Sequence, residues 1–369
     1  MQRQVDPAED RFADELAALA EADDGPRPPG WRLTPRAVVT FVMGGQVGAG
    51  RKKRTIAPKF VGERALVERC VVTLAGERAL LLVGEPGTAK SMLSELLAAA
   101  ICGTSELTVQ GTAGTTEDQL RYGWNYAMLL AQGPTRAALV ASPILTAMTQ
   151  GRVARVEEVT RCLPEVQDAL VSLLSDRRIS IPELAGLEGA TVHAAPGFTL
   201  IATANLRDRG VSEMSAALKR RFNFEVVHPI ADLKAEIALV AGQARAAVER
   251  VGVPYTVDEA VLAALVTAFR DLRSGTSVEG WAVERPSTVM STAEAVAVAT
   301  SLGLSSAYFG DSREPLAELP GHLLGVVRKD AAEDQGRLLA YWDGPVRRRA
   351  EEGARTWRVL WEHRGALET

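Results

Sequence analysis

Residues 84–91 read Gly-Glu-Pro-Gly-Thr-Ala-Lys-Ser, between the wholly apolar stretch Ala79 to Val83 and a helical pattern from about Lys90 to Ala100. A short buried strand, a glycine-containing turn and a helix in that order form the context of a phosphate-binding loop. The physical basis is direct. The turn aims successive backbone N–H groups inward, and the helix adds the positive end of its dipole. Glu85, Pro86, Gly87, Thr88 and Ala89 supply the turn, Lys90 is placed to reach the β- and γ-phosphates of ATP, and Ser91 offers a hydroxyl to Mg²⁺. One position departs from the general pattern, which has Gly where this chain has Ala89. A methyl there is expected to crowd the phosphates, although Gly87 is retained.

The surrounding pattern fixes the fold class. Further strands are expected near 106–110, 153–156 and 199–202, with helices between them, so the chain reads as α/β: a parallel sheet covered by helices on both faces. After about Pro229 the strands stop. Helical patterns follow at 231–250, 257–272 and 287–301, and 310–369 also reads as helical, with Trp342, Trp357, Leu360 and Trp361 as packing anchors. The expected division is an N-terminal helix and linker (1–57), the α/β core (58–229), a helical lid (230–309) and a C-terminal helical extension (310–369). In the first part, 6–22 reads as one helix capped by Asp6, with Pro7 in its first turn. The basic cluster Arg51-Lys52-Lys53-Arg54 reads as a solvated loop.

Composition narrows the functions. Across 369 residues the net charge is −4, which gives no global attraction to nucleic acid or to a membrane surface. The three cysteines are far apart and form no zinc pattern. No apolar run approaches the roughly 18 residues of a membrane span. The N-terminus lacks the apolar segment of a secretory signal, so the cytoplasm is the default location.

A phosphate loop needs an acid on a neighbouring strand. Residues 153–158 read Val-Ala-Arg-Val-Glu-Glu, a strand interrupted by Arg155 and ending in two acids. Glu157 is the candidate for the Mg²⁺ shell and Glu158 for orienting or deprotonating an attacking water. The usual order is Asp-Glu, and glutamate is one methylene longer, so the metal is expected to be held through water or displaced slightly. Ile179–Leu184 and Ala190–His193 alternate around a turn and read as a β-hairpin. Asn205, at the end of the strand that begins near Thr199, is the candidate to sense the γ-phosphate. Arg221 is the candidate to stabilise charge on that group from across a subunit boundary, with Arg220 as its rival. Arg285, in Arg285-Pro286-Ser287, is read as opening a helix and reaching back to the nucleotide.

In order and spacing these segments resemble the MoxR family of AAA+ ATPases, in the clade that also holds the magnesium-chelatase I subunits and the cobaltochelatase CobS subunit. The resemblance rests on GEPGTAKS (84–91), VEEVTRCLPEVQDALVSLLSDRRI (156–179), the 180–194 hairpin, ATANLRDRG (202–210), LKRRF (218–222) and ERPS (284–287), and covers roughly 58–303. In that family Ala commonly stands at the position of Ala89, whereas Glu157 in place of Asp remains a divergence. The resemblance implies a hairpin before the sensor strand, an insertion within about 120–140, a helical lid and hexameric rings. It matches Asn205 to the first sensor, Arg221 to the arginine finger, Arg285 to the second sensor and the segment around Phe60-Val61-Gly62 to the one that packs on adenine. It also implies a partner carrying a von Willebrand A domain and a protein client that is remodelled. A metal-chelatase motor subunit is the alternative. A nucleic-acid translocase fits poorly, because the hairpin carries Glu183 and Glu188 and no Lys or Arg between Ile179 and His193. A nucleotide-dependent scaffold with little turnover is a fourth reading.

Overall fold

The computed structural model describes residues 5–48, 50, 53–187, 189–205, 212–310, 314–329 and 333–368. Arg51, Lys52, Glu188 and the 206–210 part of the ATANLRDRG motif lie outside the described residues. The chain forms two compact units, Met1–Glu85 with Ala89–His228, and Pro86–Thr88 with Pro229–Thr369.

The first unit begins with two short helices in place of the single one expected over 6–22. Helices α1 (Ala8–Arg11) and α2 (Ala13–Ala22) meet at Phe12, whose φ of −119° is not helical. Asp6 does not cap the helix. Pro7 holds the N-cap position and its carbonyl accepts the first N–H groups. The break turns Phe12 edge-on to Phe41 at 5.9 Å. Lys59 lies against both rings and bonds to Glu15 and to the Phe41 and Ala57 carbonyls. Helix α3 (Pro35–Met43) starts as its sequence dictates, with Thr34 capping and Pro35 at its first position. It buries Val38, Val39, Phe41 and Val42. Strands β1 (Gly45–Val47) and β2 (Arg54–Ile56) pair antiparallel, and Lys53 and Arg54 are exposed.

Helix α4 (Arg64–Ala75), β3 (Ala79–Gly84), α5 (Lys90–Cys102) and β4 (Thr108–Gln110) open the α/β layer. An excursion follows in the interval where an insertion was expected: α6 (Glu117–Leu120), β5 (Tyr122–Trp124), α7 (Tyr126–Gln132) and β6 (Leu139–Ala141), with β5 and β6 antiparallel. The layer resumes with α8 (Pro143–Gln150), β7 (Val153–Glu157) and α9 (Pro164–Asp176). The hairpin strands are β8 (Arg178–Ser180) and β9 (Thr191–His193). They are shorter than the alternation suggests because Pro182 cannot donate to a ladder and starts a turn of 3₁₀ helix instead. Then come β10 (Thr199–Asn205), α10 (Ala216–Lys219) and β11 (Phe222–Val226).

Five strands form one sheet in the order β11-β3-β10-β7-β4, each neighbouring pair parallel. β3, β7 and β10 are buried along their whole length. Their alternation is between two cores. Leu80, Leu82 and Ile201 pack with α3, α4 and α5, while Leu81, Val83, Leu200 and Ala202 pack with α8 and α9. β7 is one residue longer than expected and β10 three, and both additions carry polar residues of the site. Arg155 does not interrupt β7.

The second unit is helical: α11 (Leu233–Arg250), α12 (Glu259–Ser274), α13 (Thr292–Phe309), α14 (Pro315–Val327), α15 (Glu333–Tyr341), α16 (Arg347–Glu351) and α17 (Arg355–Glu362). Its core joins residues from Val240 to Leu367. Trp342 and Leu360 are buried there, the indole N–H donating to the Leu360 carbonyl at 3.0 Å, while Trp357 and Trp361 are partly buried against the same core. Arg285-Pro286-Ser287 does not open a helix. The helix starts at Thr292, where Ser291 and Glu294 form a capping box, and Ser287 instead bonds to Asp334.

Candidate nucleotide-binding site

β3 delivers the chain to the loop and α5 carries it away. Gly87 has a φ of 75° and Ala89 a φ of 66°, both left-handed. Glycine takes that conformation without cost; alanine does not. The Ala89 methyl is partly buried against the first core, and the backbone conformation carries a cost of its own. Lys90 is 6% exposed, and its ammonium donates to the Gly84 carbonyl at 3.1 Å and the Glu85 carbonyl at 2.7 Å. Burial lowers its pKa, against the opposing pull of Glu158, Glu157 and Glu85. The lysine is thus folded onto the first residues of its own loop, among acids that favour its charge.

Glu157, at the end of β7, is 5% exposed and fully hydrogen-bonded. Oε2 accepts from Ser91 Oγ at 2.6 Å and Thr203 Oγ1 at 2.7 Å, and Oε1 accepts from Ser94 Oγ at 2.6 Å and Arg155 Nη2 at 2.8 Å. Burial would raise its pKa, but the Arg155 charge and the three hydroxyl donors outweigh burial and hold it below the ordinary value. It is therefore a carboxylate at neutral pH. Thr203 Oγ1 also accepts the Glu158 N–H at 2.9 Å. A continuous chain of bonds runs from the backbone of one acid, through Thr203 and the other acid, to the serine of the loop. The Glu158 backbone is left-handed, with a φ of 52°, and its half-buried carboxylate pairs with Arg161 Nε at 2.8 Å.

Two neighbours close the site. Asn205 ends β10 in register with Gly84 on β3, so the ladder sets it beside the start of the loop. Gly111 follows β4 and donates its N–H to the Glu157 carbonyl at 2.7 Å. A Cβ there would lie 2.4 Å from the Glu158 carbonyl oxygen, so only glycine lets the chain pass this close to the acid pair.

Arg221 and Arg220 stand at the end of the sheet opposite the loop. Arg221 precedes Phe222, which pairs with Ala79 at the N-terminal end of β3, while the loop leaves from the C-terminal end. Five residues of strand, about 17 Å, separate them. Arg221 donates to Ser175 Oγ at 2.8 Å and to the Ala217 carbonyl at 2.9 Å, and Arg220 is exposed beside it. Arg285, in the second unit, donates to the Ser274 carbonyl at the end of α12. Val61 is half-buried and Gly62 exposed just before α4, with the buried Phe60 ring packed on Gly62.

Ser91 and Glu157 are hard oxygen donors side by side. No group of three or more His, Cys, Asp or Glu able to hold a metal occurs among the described residues. That donor set suits Mg²⁺, which binds through one or two protein oxygens and otherwise keeps waters and substrate phosphates.

Residues 79–222 match the AAA domain of the dynein-related subfamily, and residues 234–368 match the C-terminal domain of YehL-like AAA+ ATPases. The YehL protein of Escherichia coli K12 is 47% identical over 340 residues, which cover 92% of each chain. The chain belongs to the YehL-like AAA+ ATPases. Protein SH1500 of Staphylococcus haemolyticus is 31% identical over 144 residues, covering 39% of this chain and 52% of that one. Among solved structures, NtrX from Brucella abortus in complex with ADP aligns over 84% of this chain and 64% of its own, with a TM-score of 0.48 and 15% identity. Membership in the YehL-like AAA+ ATPases accords with the parallel sheet, the loop between β3 and α5 and the helical second unit. No described helix of this YehL-like chain is long and apolar enough to cross a membrane.

Proposed function

We propose that this chain hydrolyses ATP in a Mg²⁺-dependent reaction, as a MoxR-like motor whose active sites are completed between neighbouring copies of a ring. The observation that carries the reading is the bonded chain from Glu158 through Thr203 and Glu157 to Ser91. It couples the residue suited to act on water to the residue beside the phosphates. Lys90 and the loop N–H groups bind and orient the phosphates. Ser91 and Glu157 would hold Mg²⁺, which would supply charge stabilisation on the phosphate oxygens. Glu158 accepts the proton of the attacking water at its carboxylate once its pairing with Arg161 is released, and Asn205 orients water and γ-phosphate. Phe60, Val61 and Gly62 pack on adenine, and Arg285 takes the role of second sensor.

Arg221 serves a neighbour's site in this reading, and its distance from the loop of its own copy supports that. The ring, a hexamer, is proposed to act in the cytoplasm on a protein client, with a von Willebrand A-domain partner. The described hairpin residues offer Glu183 and no basic side chain between Ile179 and His193 to follow a nucleic-acid backbone.

Glu158→Gln tests the chemistry. The variant is expected to bind ATP with the affinity of the parent while turnover falls at least about 100-fold, the range of a general base. Parent-level turnover in that variant sinks the assignment.

A further inference from the structure

Arg155 is a charged side chain in a strand otherwise made of Val153, Ala154 and Val156, and it is 8% exposed. A guanidinium carries five N–H donors in one fixed plane. Here Nε donates to Ser94 Oγ at 3.0 Å. Nη1 donates to the Ser105 carbonyl at 2.9 Å and to Thr108 Oγ1 at 3.3 Å. Nη2 donates to the Ser91 carbonyl at 3.1 Å and to Glu157 Oε1 at 2.8 Å. Two acceptors belong to the first turns of α5, two to β4 and its approach, and one is the site carboxylate.

The two oxygens of that carboxylate are thereby divided. Oε1 is gripped by Arg155 and Ser94, and Oε2 is shared by Ser91 and Thr203. We propose that Arg155 is a positioning residue for the nucleotide site: with Ser94 it fixes Oε1, so that Oε2 is the oxygen presented beside the Ser91 hydroxyl to the divalent cation that accompanies the nucleotide. The proposal rests on the reading of the loop as an ATP site. It explains how glutamate serves where aspartate is usual. The extra methylene is taken up in reaching Ser94 and Arg155. An aspartate on the same backbone falls short of that pair and leaves a buried guanidinium lacking its carboxylate, which is costly. Charge alone does not account for the arrangement, because a guanidinium beside a carboxylate weakens its attraction for a cation. The benefit lies in the geometry of the five donors.

Mn²⁺ is the probe, titrated by electron paramagnetic resonance into the full-length protein with a non-hydrolysable ATP analogue. Nucleotide affinity is measured separately in EDTA. Arg155→Lys keeps the charge and loses the planar fan; Mn²⁺ affinity is expected to fall about 10-fold or more, as for other groups that orient metal ligands, with metal-free nucleotide affinity unchanged. Glu157→Asp is expected to fall similarly, and the double variant no further than the weaker single one, since the two act as a unit. Mn²⁺ affinity and line shape unchanged in Arg155→Lys overturn the proposal. Should that variant fold poorly, Ser94→Ala carries the test, with a smaller loss expected and an unchanged affinity again decisive against it. Failure of the parent protein to bind nucleotide in EDTA overturns the ATP-site reading instead, a result distinct from either.

Discussion

At position 89 an alanine holds a φ of 66°. The left-handed conformation costs an alanine about 1–2 kcal/mol. Replacing it by glycine relieves that cost but adds unfolded-state entropy worth about 0.4–1 kcal/mol. Ala89→Gly is therefore expected to raise the unfolding free energy by roughly 0.5–1 kcal/mol, seen as a higher urea midpoint at unchanged slope. A lower midpoint would mean that the methyl's packing outweighs the backbone strain. The same scale separates what the sequence discloses from what it hides. Lys90, Ser91, Glu157 and Glu158 lie in contiguous motifs, so their chemistry is legible before any fold is known. Arg155 is not, because four of its five acceptors lie 47 to 64 residues away. Read along the strand it is only a break in an apolar run. Thr203 and Gly111 are hidden for the same reason, since their partners come from the parallel pairing of β10, β7 and β4.

Elements differ in what holds them. Helix α7 has no buried residue, and its Tyr126 and Leu130 are 69% and 88% exposed. Trp342, by contrast, is fully buried and hydrogen-bonded. Leu130→Ser is expected to change stability by less than about 0.5 kcal/mol, whereas Trp342→Ala is expected to cost about 3–5 kcal/mol. Chemical denaturation of the two variants checks both values, and a large loss from Leu130→Ser would show that α7 is packed against something. Element identity was legible where an apolar run or an apolar periodicity is strong, as in β3, β10 and α12. Boundaries were set by competing local chemistry. Phe12 leaves helical geometry and divides α1 from α2. Pro182 stops the hairpin ladder, and the Ser291–Glu294 box outcompetes Arg285-Pro286-Ser287 as a helix start.

For the whole molecule the decisive geometry is the direction of the sheet. All five strands run parallel, so the loop leaves at the C-terminal edge while Arg221 enters at the opposite edge, about 17 Å away along β3. One copy holds that arginine away from its own loop, and this separation motivates the proposal that a neighbouring copy supplies it. The most direct test mixes two inactive proteins. Arg221→Ala lacks the arginine but keeps Glu158, and Glu158→Gln lacks the acid but keeps Arg221. Each alone is expected to hydrolyse little ATP. When the two are combined at varying ratios, some interfaces pair an intact Glu158 with an intact Arg221. ATPase activity is expected to return, highest near equal amounts, with a ring-sized species present by light scattering. Mixed assemblies that form and stay inactive at every ratio would contradict a shared site.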